Sequence, residues 1–231
     1  MINLVDSVGP YELPSSWHEV TTRQYCALAA LADSTMEHAA ACLVGRPVEL
    51  SESVLAALAF LRTEPLTTGG PAYPLDLGQA TYVQAEQLRM LAYGQPLLSC
   101  FGQLYGLFVA RQQPGVDGFD QQVATDLGAA CLAWPITDTY PAVRHCLSEL
   151  QRLTTQYAKL AEPCLCVQCR QPRPAQAQAS QPALPGYALV IGIIAAKLGT
   201  DPVAVAAWSA DTVYQHLLQE RLDHEQQVGL A

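Results

Sequence analysis

Apolar residues recur three and four positions apart over residues 22–31, 53–61, 80–93, 97–110 and 143–160. That spacing places them on one face of an α-helix and leaves little room for a β-rich fold. Start and stop signals agree with it. Ser51 stands ahead of ESVLAAL, and Pro14, Ser15 and Ser16 punctuate the approach to the first helix. Chain breakers cluster at 45–47, 67–74, 94–96 and 114–118. Ahead of the helices, INLV and YEL flank a turn-like DSVGP, the pattern of a small hairpin or an extended arm.

The pattern changes after residue 161. Residues 163–185 read PCLCVQCRQPRPAQAQASQPALP, with too few large apolar side chains to offset the entropy of ordering them. This stretch is expected to act as a linker. Beyond it, YALVIGIIAAKLGTDPVAVAAWSADTVYQHLLQERLDHEQQ predicts two or three short helices. Gly199 would stop the first, Asp201 with Pro202 would start the second, and Ser209 or Asp211 would cap the third. No internal repeat of fixed period is visible. The expected fold is therefore mainly α: a hairpin plus helical bundle over 1–161, a linker over 162–186 and a small helical module over 187–231.

Of the 231 residues, 50% are hydrophobic and 14% charged, enough for one sizeable core or two small ones. A formal net charge of -9 repels a phosphate backbone, so nucleic acid is not an expected partner. Neither a basic, apolar leader nor a run of roughly 20 apolar residues is present, so the expectation is a soluble cytoplasmic protein with no membrane contact.

Five of the eight cysteines, Cys26, Cys42, Cys100, Cys131 and Cys146, fall in helical apolar patterns, where a thiol behaves as a small hydrophobe. Cys164, Cys166 and Cys169 have a spacing that can bring thiolates within about 2.3 Å of a zinc ion. A fourth ligand would have to come from Cys146 or His145, so zinc remains a secondary reading beside that of incidental linker thiols. His216, Glu220 and His224 recur four apart among polar neighbours, the pattern of a solvated helix face; His38 and Cys42 share the spacing in an Ala-rich helix.

No nucleophile elbow, phosphate loop, H-E-x-x-H or dinucleotide fingerprint occurs, and the expectation is a protein without enzymatic activity. IIAAKLGTDPVAVAAW has the outline of a helix-turn-helix, but its second helix offers no side chain that reads bases or holds phosphates. At the join WHE, Trp17 is placed to pack back onto Tyr25 and Leu28, and Glu19 to face the positive end of the first helix.

LPSSWHEVTTRQYCAL resembles the opening of small helical proteins encoded in phage and prophage tail-gene clusters, notably those of Bacteroidetes hosts, and TYVQAEQL is similar to a segment that follows it in them. LGTDPVAVAAW with YQHLLQERLDHE resembles helices common in tail assembly chaperones. CLCVQC and the Gln/Pro tract have no counterpart there. The resemblance implies a non-enzymatic assembly factor that holds a client such as a tape-measure or tail tube protein. Apolar residues of the C-terminal module, Val190, Ile193, Ile194, Trp208, Tyr214 and Leu218, are then the candidate client contacts, against the plainer reading of a small core. Two other functions remain open: a structural virion or tail-completion protein, and a zinc-binding or redox regulatory module built on the three linker cysteines.

Overall fold

The computed structural model describes residues 1–31, 35–65, 76–110, 120–163 and 186–228. Among these the chain is mainly helical, with a short two-stranded antiparallel hairpin at its N-terminus. Strands β1 (Ile2–Asp6) and β2 (Gly9–Leu13) pair from Ile2↔Leu13 to Asp6↔Gly9. The helices are α1 (Thr22–Ala29), α2 (Met36–Val44), α3 (Glu52–Ala57), α4 (Tyr82–Gly94), α5 (Leu97–Ala110), α6 (Gln121–Ala130), α7 (Ile136–Gln156), α8 (Gly186–Leu198), α9 (Pro202–Ala206) and α10 (Ala210–Gln227). Residues 164–185 of the predicted linker and the breaker segments at 67–74 and 114–118 lie outside the described residues, and Gly186, placed at the linker's end, opens α8.

Most of the sequence signals act as expected. Ser51 caps α3 by accepting from the Val54 N–H at 3.3 Å, and Asp201 caps α9 by accepting from the Val203 N–H at 2.9 Å, with Pro202 opening the helix. Gly199 closes α8 in the left-handed region at φ 64°, which a Cβ would disfavour. Ser209, rather than Asp211, caps α10 through the Thr212 N–H at 3.2 Å. The start of α1 falls to Thr21, not to the serines before it: Thr21 accepts from the Gln24 N–H while the Gln24 side chain accepts from the Thr21 N–H, a reciprocal capping box.

The described chain forms two compact units, and neither is a single stretch of sequence. The first comprises residues Met1–Pro74 and Leu88–Leu147; the second comprises Leu75–Gln87 and Ser148–Ala231. A linear division at the linker does not anticipate this, because residues 76–87 group with the C-terminal helices.

In the first unit, Leu13, Val20, Val54, Leu58, Phe101, Leu104, Phe108, Ile136 and Val143 are shielded from water. Helices α5 and α6 run antiparallel and touch through small residues. A Cβ added to Gly102 would come within 2.5 Å of the Gly128 carbonyl oxygen, and one on Gly106 would overlap the Ala124 carbonyl. This explains why α6 escapes a search for apolar periodicity: its seam is Ala124 and Gly128, not a row of large side chains.

In the second unit, Tyr82, Ile191, Ile194, Ala195, Val205 and Val213 form the core. A polar brace borders it. Arg152 pairs with Asp76 and, at 3.0 Å, with Glu149; Glu149 in turn accepts from the Leu77 N–H at 3.3 Å. The Tyr157 hydroxyl donates to Asp211 at 2.8 Å, and Asp211 packs so closely on Gly78 that a Cβ there would overlap its carboxylate.

One local structure recurs four times. Before α1, α4, α7 and α10 the chain makes a single tight turn, leading from Trp17 to Val20, Leu77 to Ala80, Cys131 to Trp134 and Val205 to Trp208. In each, the last N–H donates to the first carbonyl, at 3.2, 3.1, 3.1 and 3.0 Å respectively. These lead-in turns then join in antiparallel pairs, Thr21 with Pro135 in the first unit and Thr81 with Ser209 in the second. The Thr22 N–H donates to the Trp134 carbonyl and the Ile136 N–H to the Val20 carbonyl, both at 2.8 Å; Tyr82 N–H to Trp208 and Ala210 N–H to Ala80 repeat the pattern at 2.9 and 2.8 Å. The first N–H groups of a helix have no partner within it. Each clasp satisfies one from each of two helices, tying α1 to α7 and α4 to α10 at their starts.

Candidate functional site

Cys26 and Cys131, two of the candidate thiols among the described residues, are held protonated by burial. Among the described residues, no group of three or more His, Cys, Asp or Glu side chains is arranged to hold a metal. Burial pushes the Cys26 thiol up to about 11, with Cys100 nearby adding to it, and the Cys131 thiol up to about 12. Both thiols therefore stay protonated at neutral pH, whereas the thiolate is the nucleophile and the ligand. Cys100 and Cys146 are likewise buried, and Cys42 is half-buried. Cys164, Cys166 and Cys169 lie outside the described residues.

His38 is exposed, with Nδ1 3.2 Å from the Thr35 hydroxyl at the start of α2. On α10, Glu220 faces both Lys197 at 2.8 Å and His216 at 3.2 Å, while Arg221 donates to Glu225 at 2.5 Å and Gln219 to Asp223 at 2.7 Å. These are the i,i+4 contacts of a polar helix face, with one tie across to α8. His145 packs at a tilt against Phe108, ring centroids 5.8 Å apart.

Trp17 has a structural place. Its ring meets Tyr25 edge-on at 5.8 Å and Phe60 at 5.0 Å, and its indole N–H donates to the Thr63 carbonyl at 3.0 Å. Leu28 is half-buried on the same helix as Tyr25. Glu19 folds back to accept from the Ser15 N–H at 2.7 Å, so it serves the turn before the helix more than the helix end itself.

Of the candidate client contacts, Ile194 is fully buried, and Val190, Trp208 and Tyr214 pack against the core of the second unit. Leu218 is half-buried. Ile193 alone of the six is exposed, at 46%. Tyr214 is further occupied, donating to the buried Glu86 carboxylate at 2.5 Å and standing edge-on to Tyr82 at 5.5 Å.

The apolar surface that the second unit presents to water lies elsewhere on α8 and α9. Leu189 is 60% and Ile193 46% exposed on one face of α8; Leu198, 50% exposed, stands at the end of α8 on the side opposite Leu189, and Val203, 74% exposed, is on α9. The sequence holds the reason. GYALVIGIIAAKL is apolar on all sides, a composition suited to burial all round, yet only Ile191, Ile194 and Ala195 are buried. Leu189, Gly192, Ile193 and Ala196 form one stripe at helical spacing, and a Cβ on Gly192 would meet nothing within 4 Å. Scanning α8 for the face opposite Ile191 and Ile194 would have found it. Among the described residues no helix is long and apolar enough to cross a membrane. No protein-family profile matches the chain, nor does any curated protein or solved structure.

Proposed function

We propose that this protein is a non-enzymatic phage or prophage tail assembly factor that holds a protein client, such as a tape-measure or tail tube protein, through an apolar helical surface. The observation that carries the binding half of this reading is the stripe on α8, where Leu189 and Ile193 remain open to water beside Gly192 and Ala196. Exposed apolar side chains in a group are the usual mark of a surface that meets another polypeptide. The tail-assembly half rests on the likeness of LPSSWHEVTTRQYCAL, TYVQAEQL and the C-terminal helices to phage tail proteins. An acidic chain of net charge -9 favours a basic client and keeps the free protein in solution.

A helix laid along an apolar stripe gives affinity without chemistry, and shallow contacts suit a client that has to be released. Co-expression with the tape-measure protein of the same gene cluster tests the reading. The two are expected to co-purify at mild salt, and the factor is expected to be absent from mature particles. Failure to co-purify counts against the client. Stoichiometric presence in particles would favour a structural virion protein instead.

A further inference from the structure

Helices α8, α9 and α10 carry a core of their own. Of its six buried members, Ile191, Ile194, Ala195, Val205 and Val213 belong to these helices; the sixth is Tyr82, reaching in from α4 with the half-buried Val83 beside it. Val213 and Leu217 turn one face of α10 toward that core. Asp211, Tyr214, Arg221 and Glu225 share the adjoining face, within about 80° of arc. This second face meets the rest of the unit through polar atoms. Asp211 accepts from the Tyr157 hydroxyl at 2.8 Å, Tyr214 donates to Glu86 at 2.5 Å, Arg221 donates to the Glu162 carbonyl at 3.1 Å and Glu225 faces Lys159 at 2.7 Å. The Tyr214 ring also lies against Tyr82 and Tyr157, with centroids 5.5 and 5.1 Å away. Two backbone bonds of the clasp, Tyr82 N–H to Trp208 and Ala210 N–H to Ala80, cross the same joint.

Water treats the two faces of α10 differently. Apolar contacts inside the three-helix module have no substitute in water. A hydrogen bond across the joint is exchanged for one with water when the faces separate, so its net contribution is small. The Lys159 pair, its lysine 42% exposed, adds little. The first clasp has no such division: Tyr25 of α1 stands edge-on to both Phe101 of α5 and Tyr140 of α7, so its helices share one aromatic packing. We infer that α8–α10 part from the rest of the second unit as one folded piece. The second clasp opens, Tyr82 withdraws from the module's core, and the helices of the module persist. Opening bares Tyr82, Glu86 and Tyr157, all buried in the closed form. The joint is thus a conformational device that covers and uncovers an aromatic, carboxyl-bearing surface, whichever client the protein holds.

Native-state hydrogen exchange of the full chain, resolved by residue at rising denaturant below the unfolding transition, tests this. The Tyr82 and Ala210 amides are expected to exchange together, at least about tenfold faster than those of Ile191 and Ala195, with a denaturant slope above zero but below that of global unfolding. Tyr214→Phe keeps the ring and removes the bond to Glu86, and is expected to speed both clasp amides about tenfold. Ile194→Val weakens only the module's interior, which stays intact in the open form. It is expected to speed the Ile191 and Ala195 amides about two- to tenfold and to leave the clasp amides near their wild-type rates. Clasp and α8 amides of the wild type that share one rate and one slope overturn the inference, because the joint then opens only by unfolding. Clasp amides that exchange at different rates with no denaturant slope overturn it too, since that is local fraying. So does an Ile194→Val protein in which all four amides speed up equally, or a Tyr214→Phe protein whose clasp amides keep their wild-type rates.

Discussion

The first unit closes its most apolar helix and the second leaves its own open, although both are organised by the same clasp. In each, a one-turn lead-in, a cap and a helix pair with a second such element, and the four linking hydrogen bonds all fall between 2.8 and 2.9 Å. What differs is the helix ahead of the second lead-in. Ten residues of α6 cover the Gly102 and Gly106 seam of α5, while five residues of α9 leave the corresponding part of α8 exposed. The backbone clasp fixes which helices meet at their starts. How far an apolar helix is then shielded depends on the length of its neighbour.

The strongest way to break this comparison is to fill the two seams in turn. In Gly106→Ala the new methyl overlaps the Ala124 carbonyl, and backbone cannot step aside as a flexible side chain would. Overpacking of this kind costs about 1–3 kcal/mol, and this contact belongs at the upper end, a drop of roughly 5–10 °C in melting temperature. The same change at Gly192 meets nothing within 4 Å and removes a helix-interior glycine. There the expected result is a gain of up to about 1 kcal/mol. Thermal unfolding of the two single variants decides the matter: equal shifts would mean that the seams are not counterparts.

A finer test lies inside the clasps. The first holds a buried polar pair, with Thr22 and Thr139 hydroxyl oxygens 2.6 Å apart and Thr22 also donating to the Trp134 carbonyl at 3.1 Å. The second has Tyr82 and Val213 at the matching positions, both core residues. Thr22→Val alone leaves the buried Thr139 hydroxyl with only its long 3.4 Å bond to the Ile136 carbonyl, a cost of about 1 kcal/mol or more. Replacing both threonines with valine removes donor and acceptor together, as the second unit already does, and is expected to recover most of that loss. A double-mutant cycle on unfolding free energy measures the recovery, and strict additivity would show that the hydroxyls do not act as a pair.

Much of the fold was legible because its signals are local. Ser51, Asp201 with Pro202, and Gly199 name their helix ends through side-chain or backbone chemistry that acts within a few residues. Trp17 was legible as a packing residue for the same reason, since Tyr25 follows one lead-in turn later; its contacts with Phe60 and Thr63 depend on the fold and were not. The clasps were hidden by distance. TTRQ and TYVQ share a threonine cap with a glutamine three residues on, and WPITDTY and WSADTVY share a tryptophan with a tyrosine six residues on. Yet the four bridging residues, at 21, 81, 135 and 209, are unevenly spaced, so a search for a fixed period passes over them. The open stripe was missed for another reason. Helix α8 is apolar all round, so periodicity alone cannot say which of its faces the core will take, and the candidate contacts fell mainly on the buried side.

The smallest expected effect compares two carboxylates, one in each unit, that lie below their ordinary range. In the first unit Arg46 lowers Asp6, donating at 2.9 and 3.1 Å where the hairpin turns, while the Val8 and Gly9 N–H groups also donate to it. In the second, Lys159 at 2.7 Å and then Arg221 lower Glu225, fastening α10 to the one-turn helix at 158–160. A carboxyl whose folded pKa is depressed contributes stability above its unfolded value, and that contribution fades as the pH falls through the folded one. The ordinary values are 4.5 for Glu225 and 3.8 for Asp6, so on acidification the Glu225 contribution begins to fade first. Melting temperature measured from pH 7 down to about 2.5 should therefore fall less steeply below about pH 4.5 in Glu225→Gln than in the wild type, and Asp6→Asn should flatten the curve at a lower pH. Both differences should shrink in high salt, since Lys159 is 42% exposed and screening weakens its hold. Identical pH profiles for Glu225→Gln and the wild type would mean that the α10 contact gains nothing from its charge, leaving the Asp6 clamp as the sole acid-sensitive fastening of the pair.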